Sequence, residues 1–275
     1  MNEQHIYDLG TLEEGVVEKR PSRHCKTPYV ADVIMEDNKE VICHAPSLGC
    51  CGYVDKGAHI MVKQNEKTKK EKVCSHTVYL SKIYEKGHEY YVGVHPKIAE
   101  KLAYELLSKN YISSLKNLKN IEREKCFMNS RFDYTCIDEN NKKVILEVKN
   151  VPCADYEDIY EKDRKKRNYD SWSYDSKIAY FPDGYRKNVK DTVSPRALKH
   201  IQELEEIKKN NEDIRTILLF VIQRNDIIGF QPSIIDQKYR QAVISAYKNG
   251  VEIIPISVYW EDNKCYFNKQ VKLMI

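Results

Sequence analysis

Up to about residue 94 the chain alternates short β-prone runs with turn-forming clusters. YVADVIM (29–35), KEVICHA (39–45), HIMVKQ (59–64), HTVYLSKI (76–83) and EYYVGV (89–94) are separated by signals such as EDN, GCCG and EKG. Short strands at this spacing predict a small β-barrel or sandwich over residues 1–94. The stretch KQNEKTKKEK (63–72) has no period and reads as a solvated loop. The period then changes: PKIAEKLAYELLSKN predicts a helix, with Pro96 at its first position and Ile98, Leu102 and Leu106 at helical spacing. Glu105 stands seven positions after Ile98 and so projects from the apolar face. A carboxylate there needs a partner, a cleft, or a place at the edge of the packed surface.

Residues 95–275 alternate β and α patterns and predict an α/β domain, giving an α+β protein overall. SRFDYTCIDENNKKVILEVKN (130–150) reads as a hairpin, and TILLFVI (216–222) as a strand covered on both faces. SPRALKHIQELEEIKK (194–209) predicts a helix capped by Ser194 with Pro195 next. DQKYRQAVISAYKNG (236–250) predicts another, ending at Gly250, followed by the strand VEIIPISVYW (251–260). The tyrosine- and charge-rich segment 153–188 is a long insertion to which no structure is assigned.

The chemistry concentrates in the hairpin. Period-two alternation puts Val144, Leu146 and Val148 on one face and Glu147 with Lys149 on the other. A symmetric turn would pair Asp133 with Val148; a shift of one residue would bring it onto the charged face. If they converge, Asp133, Glu147 and Glu105 offer hard oxygen ligands suited to Mg²⁺ or Mn²⁺. Such an ion can polarise a phosphodiester, while Lys149 holds water or stabilises developing charge. The competing reading is an exposed sheet face whose Glu147–Lys149 pair contributes roughly 0–1 kcal/mol.

Composition narrows the classes only a little. The net charge of +4 permits a nucleic-acid partner without requiring one. No apolar run approaches the roughly 18 residues a membrane span needs. The start lacks a signal-peptide pattern and the nine cysteines are odd in number and irregular, which points to reduced thiols. The expected location is the cytoplasm, or the nucleus in a eukaryote. Cys43, His44, Cys50, Cys51, Cys74 and His76 match no standard zinc spacing. RKKR (164–167), between tyrosines and Trp172, fits phosphate contact with stacking, or a solvated loop.

RPSRHCKTPYVADV, HAPSLG (44–49), SRFDYTCID, LEVKNV, DTVSPRALKHIQEL and FQPSIIDQKYRQAVISAYKNGVEI together resemble the sugar fermentation stimulation protein A family over most of residues 20–255. The resemblance implies an N-terminal OB-like barrel and a restriction-endonuclease-like domain with a PD-(D/E)xK motif. That motif falls on Asp133, Glu147 and Lys149, with Glu105 as the helix carboxylate. It further implies metal-dependent hydrolysis of DNA or RNA. Arg23, His44, Arg131, Arg196 and His200 are then the candidates for nucleic-acid contact. A non-catalytic nucleic-acid binder retaining the fold is the alternative, and a homodimer remains open. Three departures stand out: the family's HxPNTG loop is HAPSLG here, its Arg-Gly is Arg196-Ala197, and 153–188 is longer.

Overall fold

A computed structural model of the chain describes residues 4–48, 50–66, 73–127, 130–182 and 192–275. Strand β1 (Gln4–Asp8) is followed by β2 (Glu13–Lys19), β3 (Val30–Met35), β4 (Glu40–His44), β5 (His59–Gln64), β6 (His76–Glu85) and β7 (His88–Gly93). Strands β2 to β7 form one sheet in the order β4-β3-β2-β5-β6-β7, and a parallel β4–β6 pairing closes it. This is the connectivity of an OB-like barrel. Its core is small and β-branched: Val17, Val33, Val41, Ile60, Val62 and Val78 are all buried. The predicted barrel strands are all present. Most of the predicted 63–72 loop (67–72) lies outside the described residues, while Lys63 and Gln64 end β5.

Next come α1 (Pro96–Ser108), β8 (Lys119–Phe127), β9 (Ser130–Ile137), β10 (Lys143–Val151), β11 (Ala154–Asp155), α2 (Glu161–Arg164) and β12 (Lys177–Phe181). The chain continues with α3 (Pro195–Asn210), β13 (Arg215–Ile222), β14 (Ile227–Pro232), α4 (Gln237–Lys248), β15 (Glu252–Glu261) and β16 (Lys264–Gln270). A seven-stranded mixed sheet runs β1-β16-β15-β13-β10-β9-β8, with β10, β13 and β15 parallel. The N-terminal strand β1 therefore belongs to this sheet and not to the barrel.

Helix α1 covers one face, packing Ile98, Leu102 and Leu106 on Val144, Leu146, Ile217 and Leu219. Helices α3 and α4 cover the other, with Ile201, Leu204 and Val243 against Ile145, Leu218 and Phe220. Each such fully buried aliphatic side chain contributes roughly 1.5–3 kcal/mol. Ser194 caps α3 as predicted, its Oγ accepting from Ala197 N at 3.3 Å, and Asp236 caps α4 by accepting from Tyr239 N at 3.0 Å. Gly250, just past α4, has φ +91°, the left-handed region that glycine enters without strain. Among the described residues no helix is long and apolar enough to cross a membrane.

The insertion is more ordered than its composition indicates. It supplies β11, α2 and β12, and a three-stranded sheet β11-β12-β14 forms; 183–188 lie outside the described residues. Its charges and aromatics join the barrel to the larger sheet. Lys86, in the β6–β7 turn, donates to the backbone carbonyls of Tyr169, Asp170 and Trp172. Deeper in, the buried Lys177 bridges Asp226 (2.8 Å) and Glu85 (2.9 Å). Arg224, fully buried, donates to Asp226 and to the hydroxyls of Tyr53 and Tyr90 on the barrel. Paired charges of this kind satisfy one another and fix the angle between two bodies, because breaking one leaves the other uncompensated.

Candidate active site

The β9–β10 register decides the question the hairpin poses. The observed pairs are Lys143 with Ile137, Val144 with Cys136, Ile145 with Thr135 and Leu146 with Tyr134. One further step along that register sets Asp133 opposite Glu147, the shifted arrangement and not the symmetric one. The ladder ends there, and Asp133 Oδ2 instead accepts from the backbone N–H of Val148 at 2.7 Å. On β10 the parity is as predicted: Val144, Leu146 and Val148 face α1, while Glu147 faces α3.

Glu147 is not on a solvated sheet face, since α3 covers it and leaves it 3% exposed. Its Oε1 accepts from both Lys149 Nζ and His200 Nδ1. Its Oε2 is buried with no hydrogen-bond partner among the described residues. Buried carboxylate oxygens are almost always satisfied, so this one marks a place prepared for a donor or a cation. Burial disfavours the Glu147 charge, but the bond from His200 and the charge of Lys149 outweigh it and hold the carboxyl below its ordinary range. Asp133 goes the other way. Burial, then the charge on Glu147, push it up to about 7, against the weaker pull of the Val148 bond and Lys149. Adjacent carboxylates thus titrate far apart, a pattern concentrated at functional sites.

These groups line a cleft of about 380 Å³ between barrel and sheet. Asp133, Glu147, Lys149 and Asn150 form one side, with Glu100 from α1 and Arg196 from α3 beside them. Gln223 Nε2 donates to Asn150 Oδ1 at 2.8 Å, and Trp260 Nε1 in turn to Gln223 Oε1 at 3.0 Å. The barrel contributes Tyr29, Pro46, Ser47, Leu48 and Cys50 to the opposite wall.

The helix carboxylate at the cleft is Glu100, not Glu105. Buried positions 98, 99, 102, 103, 106 and 107 define a broad apolar arc on α1, and Glu105 and Glu100 sit on its two opposite shoulders. The shoulder of Glu105 faces β1, where it pairs with Lys109 at 3.2 Å, and Lys109 also donates to the His5 and Ile6 carbonyls. Glu100, on the other shoulder, is half-buried; burial and then the charges of Glu124 and Glu147 raise its pKa, partly offset by Lys97. The signal available in the sequence was the ambiguity of the arc itself, which admits a carboxylate at either edge.

Of the expected nucleic-acid contacts, Arg196 is exposed at the cleft mouth. His200 is 5% exposed and bound to Glu147, which leaves it little surface for direct nucleic-acid contact. Arg23 is held by Glu18 (2.6 Å), Glu40 (2.8 Å) and Asp32 (3.2 Å) on the barrel, which neutralises it. His44 ends β4, half-buried and outside the cleft lining. Arg131 points to solvent and pairs with Glu124 at 3.1 Å, also away from the cleft. Among the described residues the zinc-like cysteines and histidines do not gather into a ligand group. His24, Asp32 and Glu40 do, but Arg23 already occupies their charge.

The family model described as "Sugar fermentation stimulation protein RE domain" matches residues 97–161 and 170–264, more than half of the chain. A sugar fermentation stimulation protein homolog of Clostridium tetani is 29% identical over 259 residues, 94% of either chain. Another, of Shewanella frigidimarina, is 27% identical over 249 residues, 88% of either chain. The solved structure of Pyrococcus furiosus SfsA in complex with Ca²⁺ aligns with a TM-score of 0.74 at 15% identity, covering 98% of this chain and 99% of that one. The cleft carboxylates, Lys149 and His200 all fall within the matched segments, and the chain belongs to the sugar fermentation stimulation protein family, with an OB-like barrel joined to a restriction-endonuclease-like domain.

Proposed function

We propose that this protein is a divalent-metal-dependent nuclease that hydrolyses phosphodiester bonds of DNA or RNA in the cleft between barrel and sheet. The observation that carries the reading is Glu147, a buried charged carboxylate with one oxygen held by Lys149 and His200 and the other unpartnered, in the same cleft as Asp133. The donor set fits a hard cation: Asp133, Glu147 and Glu100 would hold it. Burial first, and then repulsion from neighbouring carboxylates, raises the pKa of Asp133 and of Glu100, and a cation bound among them would relieve both. That the archaeal relative is described with Ca²⁺ supports a divalent site in this fold. Bound here, Mg²⁺ or Mn²⁺ would supply positive charge that polarises the phosphodiester and lowers the pKa of water.

The chain's own residues supply the rest. Lys149 presents its ammonium beside Glu147, where it can orient water and stabilise charge developing on the phosphate. His200 fixes the Glu147 carboxylate, the Val148 N–H fixes Asp133, and Arg196 at the mouth can receive a flanking phosphate.

Incubation with labelled single- and double-stranded DNA and RNA is expected to give cleavage with Mg²⁺ or Mn²⁺ and none with EDTA. Cleavage that persists in EDTA would sink the mechanism, and binding without cleavage under any metal would favour the non-catalytic binder. A second expectation concerns positioning. His200→Ala should weaken Mn²⁺ binding about 10- to 100-fold in a calorimetric titration, while His200→Gln recovers part of it. Unchanged affinity in His200→Ala would show that Glu147 needs no such orientation.

A further inference from the structure

The wall facing the carboxylates carries its own chemistry. Tyr29 and Leu48, from two different barrel loops, are 43% and 37% exposed, large apolar side chains left open on the rim of the cleft. A single exposed tyrosine needs no explanation. Tyr29 and Leu48 together, lining the same cleft as a buried acid–lysine cluster, are a different matter, and their backbones are anchored. Arg20 donates to the carbonyls of Pro28 (2.7 Å), Ala45 (3.3 Å) and Ser47, tying the two loops together. Ala45 N donates to Tyr29 O at 2.8 Å, and Ser47 Oγ donates to Val94 O at 2.6 Å. The shelf is therefore preformed. Leu48 also stands where the family loop carries a polar residue, so this chain has made the wall more apolar than the resemblance implies.

We infer that Tyr29 and Leu48 form a stacking shelf for one unpaired nucleobase next to the phosphodiester held at Asp133 and Glu147, so that the cleft selects single-stranded nucleic acid. The inference rests on the nuclease reading and names its substrate class. The cleft of about 380 Å³ lies at the small end of the roughly 300–1,000 Å³ range of sites for compact ligands. It suits one base with its sugar and phosphate, whereas a paired base would bring its complement and a second backbone. Charge follows the same division, with Lys149 and Arg196 on the side that would face phosphate and no Asp, Glu, Lys or Arg among the barrel residues that line the wall. A π-face on an exposed aromatic accepts any base, so the shelf imposes strandedness without sequence.

The test is fluorescence anisotropy of the full chain with labelled oligonucleotides in Ca²⁺: single-stranded DNA, single-stranded RNA and a DNA hairpin. Single strands are expected to bind more tightly than the hairpin. Tyr29→Ala should weaken single-strand binding about ten-fold with the hairpin little affected, and Tyr29→Phe, which keeps the ring, should bind like the parent. The two single-stranded arms show which sugar the shelf accepts. Equal affinity for hairpin and single strands, or an unaltered Tyr29→Ala, would overturn this inference while leaving the nuclease reading in place. Absence of binding to every nucleic acid would overturn both.

Discussion

Glu147→Gln is expected to lower metal-dependent cleavage by about 10³-fold or more while the protein stays folded. The substitution is nearly isosteric. Glutamine keeps one carbonyl oxygen to accept from His200 and Lys149, so the packing of α3 on β10 need not change. What disappears is the negative charge and the unpartnered second oxygen, replaced by an amide N–H₂ that cannot ligate a cation. Lys149→Met provides the contrast. It removes the ammonium and retains all the carboxylates, so cleavage should fall about 10²- to 10³-fold while Mn²⁺ still binds. Single-turnover cleavage beside Mn²⁺ calorimetry separates the two. If Glu147→Gln binds Mn²⁺ as tightly as the parent, Glu147 is not a ligand.

How far the sequence discloses this site depends on which physical rule is asked. Strand parity is local, so VILEVK alone shows that Glu147 and Lys149 share a face, and TILLFVI that β13 is buried on both sides. Register is not local. A turn of the composition DENNKK admits two pairings, and only packing of Tyr134 and Cys136 against the α1 core selects the one that brings Asp133 to Glu147. Helix faces are intermediate. Periodicity locates the apolar arc of α1 but not which shoulder meets the end of β10, so Glu105 was a reasonable candidate and Glu100 the occupant. The insertion misleads for a different reason. Its buried contacts are made by Lys177, Tyr156 and their ionic partners, which in a linear reading count as surface. The PD-(D/E)xK resemblance, by contrast, encodes spacing within one hairpin, and the strand residues it points to, Asp133, Glu147 and Lys149, line one cleft.

Asp133→Asn is expected to stabilise the metal-free protein at neutral pH even as it removes metal binding. The folded state holds the Asp133 carboxyl at about 7, chiefly through burial and the Glu147 charge, whereas an unfolded chain leaves it near about 3.9. Between those values the folded protein binds more protons than the unfolded one, so stability falls as pH rises from about 4 to about 7 and levels off above. The cost of ionising Asp133 in place is on the order of a few kcal/mol. Asparagine can still accept from the Val148 N–H through its carbonyl oxygen and carries no charge to repel Glu147. Urea melts of the parent in EDTA should therefore show a midpoint that declines across this window, and those of Asp133→Asn a flatter profile that lies higher at pH 7.5. Adding Mn²⁺ should reverse the order, raising the parent midpoint through linkage and leaving the variant where it was. A variant no more stable than the parent in EDTA would mean that Asp133 is ionised without strain. A variant stabilised by Mn²⁺ as strongly as the parent would remove Asp133 from the metal site. The two effects have opposite signs because the same carboxylate whose charge is costly in EDTA is the one a cation relieves.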